Sequence, residues 1–352
     1  MKLAFLRIAV FLLSALVLVN CKSSKKEKGL EEKLGSDDYL VFLDKSQAEA
    51  RIVKDAKDGF FETISITDMS VQMKKSDLPA SRPEVVAQYR EFLKSEMESF
   101  TEEEKDFMRE VFNAAKAALD KINPNLLPER IELIKTKTNH YGPDVYYTRE
   151  KAIILPSNIF EEKSVEAQMP IMLHEIFHIL SRYNKDFREK LYALIGFIPI
   201  DSELILPRKI EDKLLCNPDG VSKAYAINLV DLSGKSQLAL PLIMSTKDRY
   251  QSNMPTFFSY LYFDLFPLIK ITENQVSLGL NKQGDSSLGA EHNANFFDQI
   301  KDNTQYIIHP DEILADNFMM AVIAHKNETF VNFSPEGIKL LEEVLDVLRT
   351  FE

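Results

Sequence analysis

His174, Glu175 and His178 stand in the order HExxH within the segment IMLHEIFHIL. Side chains four residues apart on an α-helix project from the same face, so the two imidazoles can bind one metal ion. Glu175 is then placed to accept a proton from a water molecule that the metal activates, instead of binding the metal itself. The pattern predicts a catalytic zinc (Zn2+) site.

The residues around the motif are apolar, which favours a helix buried on most sides. They are Ile171, Met172, Leu173, Ile176, Phe177, Ile179 and Leu180. Two buried histidines and a buried carboxylate need polar partners, and one metal ion supplies them together. The alternative interpretation is a buried histidine pair satisfied by ordinary hydrogen bonds.

A catalytic zinc ion normally has three protein ligands and one open position, so a third donor must come from elsewhere in the chain. The segment HPDEILADNF resembles the second metal-binding helix of gluzincins, the thermolysin-like zinc metallopeptidases, in which a ligand glutamate lies four residues ahead of an aspartate. The resemblance implies that Glu312 is the third ligand. It also implies that Asp316 orients His174.

The acidic residues of this segment also suit a helix that binds no metal. Pro310 fits the first position of a helix, and Asp311 and Glu312 would then complement the helix dipole whether or not a metal is bound. Glu291 and His292, in the segment GAEHNANFF, are the alternative donors.

A wider resemblance links residues 147–318 to a group of uncharacterised bacterial proteins with HExxH sites. It rests on YTREKAIILP, HEIFHILSRYN, NPDG and HPDEILADNF, and it implies no particular substrate. In gluzincins a strand just before the motif helix commonly pairs with an extended peptide. The resemblance assigns that role to residues 152–155.

Three side chains are candidates for stabilising an oxyanion opposite the zinc ion: His309, Tyr306 and Arg182. A structural hydrogen bond or salt bridge is the competing role for each. His140 and His325 have no motif context, and we predict that they are surface or core residues.

The elements that must position these groups are predicted from hydrophobic patterns and helix-capping signals. Helices are predicted at 84–99, 101–122, 165–183, 311–325 and 335–348, and strands at 130–137, 152–155, 224–230, 237–244 and within 257–271, with one or two more following Gly59. The second helix carries an apolar stripe typical of core packing: Phe107, Val111, Phe112, Ala115 and Leu119. The predicted fold class is α+β, with a helical zincin-like core, a small edge sheet and a mostly β insertion at about residues 200–300.

The N-terminus has the pattern of an export signal. Lys2 and Arg7 precede an apolar run that is too short to remain as a membrane span. Leu18-Val19-Asn20-Cys21 resembles a relaxed lipobox of bacterial lipoproteins, which implies lipidation of Cys21. An ordinary secretory signal with an incidental cysteine is the alternative. We therefore expect a signal peptide at 1–20, a lipidated tether at 21–34, one metallohydrolase domain at 35–352, and an extracytoplasmic, membrane-anchored location.

The charge of the chain limits the classes of binding partner, and its cysteine content limits the possible disulfides. Lys2 and Arg7 are two of 43 basic residues, so a chain without residues 1–20 would carry 41 basic against 54 acidic side chains, a net charge of −13. Such a surface argues against nucleic acid as a partner. With Cys21 lipidated, Cys216 has no disulfide partner.

The sequence thus predicts a zinc-dependent hydrolase, most simply a metallopeptidase, with a peptide or another amide as substrate and Glu175 as general base. The alternative is a cell-envelope lipoprotein that binds a partner and whose zinc site is structural or degenerate. A cell-wall amide is an equally acceptable substrate for the same chemistry. The oligomeric state is not predicted.

Overall fold

All strands of the first sheet precede, in the chain, the helix that carries HExxH. The structure is a computed structural model that describes residues 39–352. The strands of this sheet are β1 (Leu40–Phe42), β2 (Met97–Glu98), β3 (Ile131–Thr136), β4 (Tyr147–Arg149) and β5 (Ala152–Pro156). β3 pairs in parallel with both β1 and β5, and β4 pairs antiparallel with β5, which places β4 at an edge. β2 pairs antiparallel with the end of β3.

Seven helices accompany this sheet in the first part of the chain. They are α1 (Lys45–Ile52), α2 (Phe60–Thr63), α3 (Ile66–Met73), α4 (Arg82–Ser95), α5 (Glu102–Asp120), α6 (Val165–Tyr183) and α7 (Lys185–Leu194). α5 begins with the capping box that the sequence indicates, because the side chains of Thr101 and Glu104 each accept a hydrogen bond from the other residue's N–H. The five residues of its apolar stripe are buried in the core, as predicted. α6 has the predicted bounds.

The strands predicted after Gly59 are wrong, because that segment forms α2 and α3. Ser65 caps α3 by accepting a hydrogen bond from the N–H of Asp68. Every residue from Thr67 to Met73 is buried. A helix that is buried on all sides shows no period of 3.6 residues in its sequence, so the partial alternation of its side chains was misleading.

Six strands of the second half form a separate sheet, in the region where the sequence predicts a β-rich insertion. Its elements are β6 (Phe197–Pro199), β7 (Glu203–Ile205), the short helix α8 (Arg208–Glu211), β8 (Tyr225–Val230), β9 (Ser236–Ser245), β10 (Leu261–Thr272) and β11 (Gln275–Leu278). The strand order is β6-β8-β9-β10-β11-β7, and all neighbours are antiparallel except β11 and β7. The link from α8 to β8 contacts α6 and α10, because Arg182 donates a hydrogen bond to the carbonyl of Pro218 and Asn217 donates one to Glu312.

The chain closes with α9 (Asn293–Ile300), α10 (Pro310–Asn327) and α11 (Pro335–Arg349). The main core joins α5, α6, α7, α10 and α11 with residues of both sheets. Phe177 of α6 and Phe318 of α10 meet there with ring centroids 5.4 Å apart, and neither side chain is exposed. This contact joins the two helices that carry the predicted ligands. The structure confirms the mixed α+β class.

The predicted signal peptide, Cys21 and the tether lie outside the described residues. Within residues 39–352, no helix is both long and apolar enough to cross a membrane.

Candidate metal centre

Helices α6 and α10 bring three potential metal ligands together. The rings of His174 and His178 lie one helical turn apart, with centroids separated by 4.8 Å. Oε2 of Glu312 lies 3.2 Å from Nε2 of His174 and 3.5 Å from Nε2 of His178. The ligand atoms of these residues all lie within 4.8 Å of one another, so the group is able to hold a metal ion.

Each histidine is oriented by an aspartate on α10. Nδ1 of His174 lies 2.9 Å from Oδ1 of Asp316, the contact that the resemblance implies. Nδ1 of His178 lies 2.7 Å from Oδ2 of Asp311. Both contacts direct Nε2 towards Glu312, which is how a second carboxylate fixes the tautomer of a metal-binding imidazole.

The orienting role of Asp311 was not predicted from the sequence. Its position directly before Glu312 suggested only an acidic first turn, which many helices have. In the structure its carboxylate accepts hydrogen bonds from the hydroxyls of Ser181 and Tyr192, the latter at 2.8 Å. Ser181 follows His178 by three residues, so a polar residue at this spacing on an apolar helix was the available signal.

The electrostatics of the group favour a positive charge at its centre. Burial alone would lower the pKa of His174, but its hydrogen bonds with Asp316 and Glu312 outweigh this and raise the pKa to about 10. Burial would raise the pKa of Glu312, yet the charge of His178 and the hydrogen bond with His174 lower it well below its usual value. A bound cation would supply the same compensation with both imidazoles neutral.

Two buried polar atoms at the centre are left without partners. Within residues 39–352, no hydrogen-bond partner reaches Nε2 of His178 or Oε2 of Glu175. Buried polar groups are nearly always satisfied, so these atoms indicate a missing ligand. A metal ion fits the Nε2 atom, and a polar molecule beside that ion fits the carboxylate oxygen.

Glu175 is not one of these three residues, and with His178 and Asp219 it forms a second group that could hold a metal ion. It is 3% exposed, and burial raises the pKa of its carboxyl to about 8. Its other neighbours include Asp219, whose ligand atom lies within 4.8 Å of those of Glu175 and His178. A cation held by the neighbouring histidines would lower this pKa and favour the carboxylate form, which a proton acceptor requires.

The link between α8 and β8 contributes two residues that were not predicted. Nδ2 of Asn217 donates a hydrogen bond of 2.6 Å to Oε1 of Glu312, and Asp219 approaches Glu175. Both belong to NPDG, whose only signal in the sequence was the wider resemblance. The distance in sequence between this turn and HExxH does not predict their contact, because contacts between distant segments depend on the tertiary fold.

The remaining predicted residues lie in different settings. The ring of Tyr306 lies nearly parallel to that of His174, with centroids 6.2 Å apart. His309 is the N-cap of α10: Nδ1 accepts a hydrogen bond from the N–H of Asp311, and Nε2 contacts the carbonyl of Ser222 at 3.3 Å. Both ring nitrogens of His309 are therefore used by the fold, which does not support its predicted role at an oxyanion.

Arg182 is also fully engaged in structural contacts. Its guanidinium pairs with Asp58 at 2.8 Å and donates to Thr148 Oγ1 and to the carbonyls of Glu150, Pro218 and Asp219. These bonds hold the NPDG turn against α6 and β4. The guanidinium of Arg182 therefore holds this turn in place, and the structure does not support its predicted role at an oxyanion.

The alternative metal donors are not brought into a ligand group among the described residues. The side chain of Glu291 is 52% exposed, and His292 lies at the start of α9 with Nδ1 near the carbonyl of Gly289. His140 is a buried core residue and His325 is half-buried.

The strand predicted to pair with a peptide is not available for it. β5 lies between β3 and β4 and is hydrogen-bonded on both sides. The strand at the edge beyond β5 is β4, which was too short to be recognised in the sequence as a strand of its own.

No protein-family model matches the chain, and neither the curated proteins nor the solved structures contain a significant match.

Proposed function

We propose that this protein is a zinc-dependent hydrolase that cleaves amide bonds, with peptides as the leading substrate class. The observation that supports the proposal most strongly is the unpartnered Nε2 of His178, buried within contact distance of His174 and Glu312. An unassigned buried carboxylate, Glu175, lies beside it. The possible metal ligands and a carboxylate that can accept a proton therefore lie side by side.

Zinc is the ion that this donor set favours. Two imidazole nitrogens and one carboxylate oxygen are the protein ligands of a common class of catalytic zinc sites. Calcium and magnesium prefer oxygen donors and are poorly served by two histidines. The arrangement also agrees with the gluzincin resemblance, which places Glu312 and Asp316 four residues apart on a second helix.

The roles of the side chains follow from their positions. When bound, a zinc ion would polarise the scissile carbonyl and lower the pKa of a water molecule. Glu175 takes the proton of the attacking water and later delivers it to the leaving amine. Asp316 and Asp311 keep both imidazoles in the orientation that the ion requires. Tyr306, beside His174, is the remaining candidate for stabilising the oxyanion.

The test is the substitution Glu175→Gln, assayed with a mixture of fluorogenic peptides. Removal of a general base lowers the rate by about 10²- to 10⁴-fold. Zinc content should not change, because Glu175 is not a ligand. The control is Glu166→Gln in the exposed first turn of the same helix. Unchanged hydrolysis by zinc-loaded Glu175→Gln would refute the assigned mechanism.

A second candidate is a binding protein whose zinc site is structural. The observation behind it is the burial of the ligands, since His178 and Glu312 are 0% and 1% exposed, which restricts access to the open coordination position that a catalytic zinc ion needs. This function predicts full zinc occupancy, loss of folding on chelation, and no hydrolysis by the wild type or by any variant of the centre.

The location rests on the N-terminal sequence. We propose that Cys21 carries a lipid that anchors the protein on the extracytoplasmic side of a bacterial membrane. Mass spectrometry of the N-terminal peptide tests this directly. A diacylglycerol-modified Cys21 is the expected result, and an unmodified cysteine within a retained leader would contradict the proposal.

A further inference from the structure

The link between α9 and α10 carries a hydroxyl that contacts two neighbours of His174. Oγ1 of Thr304 donates a hydrogen bond to Oδ2 of Asp316, and it accepts one of 2.9 Å from the N–H of Tyr306. An ionised carboxylate can only accept, so the single proton of the hydroxyl goes to Asp316 while a lone pair takes the N–H. The donor and acceptor capacities of Thr304 are therefore both used beside the proposed centre.

The bond from Thr304 fixes the second oxygen of Asp316. Oδ1 of this carboxylate lies 2.9 Å from Nδ1 of His174, and Oδ2 receives the hydroxyl. A carboxylate held at one oxygen only can rotate out of the plane of the imidazole. The side chain of Asp316 is 19% exposed, so water would otherwise compete for the free oxygen. Thr304 thus restricts the rotation of the group that orients His174.

The same hydroxyl determines where Tyr306 lies. The ring of Tyr306 is inclined by 19° to that of His174, with centroids 6.2 Å apart. Its backbone N–H is held by Oγ1 of Thr304, two residues earlier in the chain. One side chain therefore connects the residue that contacts Nδ1 of His174 with the residue whose ring lies beside it.

The neighbouring residue anchors Thr304 to the helix that carries Asp316. Nδ2 of Asn303 donates hydrogen bonds of 2.7 Å to Oδ1 of Asn317 in α10 and of 3.0 Å to the carbonyl of Gly337 in α11. The side chain of Asn317, directly after Asp316, is not exposed. The position of the link relative to α10 is therefore fixed independently of any metal ion.

We propose that Thr304 is a positioning residue of the metal centre, whose hydroxyl holds the carboxylate of Asp316 against His174 and the backbone of Tyr306 beside it. The inference rests on the proposed metal site and hydrolase function. Neither HExxH nor the interval from Glu312 to Asp316 includes this residue. The competing role is a local one, in which the hydroxyl only fixes the path of the link.

The test compares Thr304→Val and Thr304→Ser in the purified full-length protein. Valine keeps the branched shape and removes the hydroxyl, whereas serine keeps the hydroxyl. The control is Thr350→Val, because the hydroxyl of the exposed Thr350 bonds only to the carbonyls of Asp346 and Val347. Zinc affinity is measured by competition with a chromogenic chelator. Thr304→Val is also combined with Asp316→Ala, which removes the carboxylate through which Thr304 acts.

We expect Thr304→Val to weaken zinc binding about tenfold, at the lower end of the range for an outer partner of a metal ligand. Thr304→Ser and Thr350→Val should bind zinc as the wild type does. In the protein that lacks the carboxylate of Asp316, Thr304→Val should cause no further loss. Zinc-saturated Thr304→Val should also show a kcat about 10- to 100-fold lower with unchanged KM, because Tyr306 is no longer held in place.

Three results would overturn the inference alone: wild-type zinc affinity in Thr304→Val, equal losses in the valine and serine variants, or a full loss that persists without the carboxylate of Asp316. None of them depends on peptide hydrolysis. Affinities that follow the expected pattern, in a wild type that hydrolyses no peptide, would support Thr304 as a positioning residue and contradict the proposed hydrolase function. A wild type without zinc affinity would contradict both.

Discussion

Nδ2 of Asn217 donates a hydrogen bond of 2.6 Å to Oε1 of Glu312, while Oε2 of the same carboxylate lies 3.2 Å from Nε2 of His174. The bond decides which oxygen of Glu312 faces the histidines. It also ties the link between α8 and β8 to the proposed centre, so the insertion takes part in building the site.

Replacing Asn217 should weaken metal binding. In Asn217→Ala the carboxylate of Glu312 loses the partner that fixes its rotation, and loss of such an outer partner typically costs about 10- to 100-fold in metal affinity. A competition titration with a chromogenic zinc chelator measures the change. Asn274→Ala, in the exposed turn between β10 and β11, is the matched control and should bind zinc as the wild type does. Equal affinities of Asn217→Ala and the wild type would refute the orienting role.

Replacing Asp311 should lower the zinc affinity as much as replacing Asp316. Each holds Nδ1 of one histidine, at 2.7 Å and 2.9 Å respectively. We expect Asp311→Asn and Asp316→Asn each to lower zinc affinity by about 10- to 100-fold. Because Asp311 is also tied to Tyr192, the milder change Tyr192→Phe should have a smaller effect in the same direction. An Asp311→Asn protein with wild-type affinity would show that the contact with His178 is only structural.

His140 should make the fold sensitive to acid. It is buried, Nε2 lies 3.0 Å from the hydroxyl of Tyr147, and burial together with the charge of Lys74 lowers its pKa to about 3. An unfolded histidine has a pKa of about 6.5, so between these values the unfolded chain binds the additional proton. The free energy of unfolding therefore falls as the pH drops through this window.

Urea unfolding at pH 7 and pH 5 measures this effect. The wild type should lose about 2 kcal/mol more than His140→Gln, because only the histidine gains a proton on unfolding. Other titrating groups contribute equally to both proteins. Equal losses in the two proteins would mean that His140 is protonated in the folded state.

The contact between Phe177 and Phe318 should be a major part of the core. Phe318→Ala removes an unexposed ring from the packing of α6 against α10, and such changes cost about 3–5 kcal/mol. Phe297→Ala is the control, since that ring is 48% exposed, and its cost should stay below about 1 kcal/mol. Chemical denaturation gives both values. Similar costs for the two variants would show that the α6–α10 interface is loosely packed.

The sequence allowed the juxtaposition of His174, His178, Glu312 and Asp316 to be predicted because these residues follow local spacing on α6 and α10. HExxH and the four-residue interval from Glu312 to Asp316 each lie within one helix, where position in the sequence dictates position in space. The bounds of α6 and the capping box of α5 were likewise predicted from residues that are close together in the sequence. Their prediction required no knowledge of the tertiary fold.

Residues that reach the centre from other elements were not predicted. Asn217 and Asp219 lie in a turn whose path depends on how the second sheet packs, and Arg182 was interpreted by its place on the motif helix instead of by the carbonyls it meets. β4 has three residues, too few for a period to show. α3 was misassigned because complete burial hides helical amphipathicity.

The metal content of the purified protein tests the central claim most directly. The wild type, His174→Ala, Glu312→Ala and Glu291→Ala are dialysed against buffered zinc and analysed by atomic emission. We predict about one zinc ion per chain in the wild type and in Glu291→Ala, with loss of the ion in the other two variants, since a catalytic site depends on each of its three protein ligands. A wild type that binds no zinc, or a Glu312→Ala protein that retains it, would contradict the proposed centre.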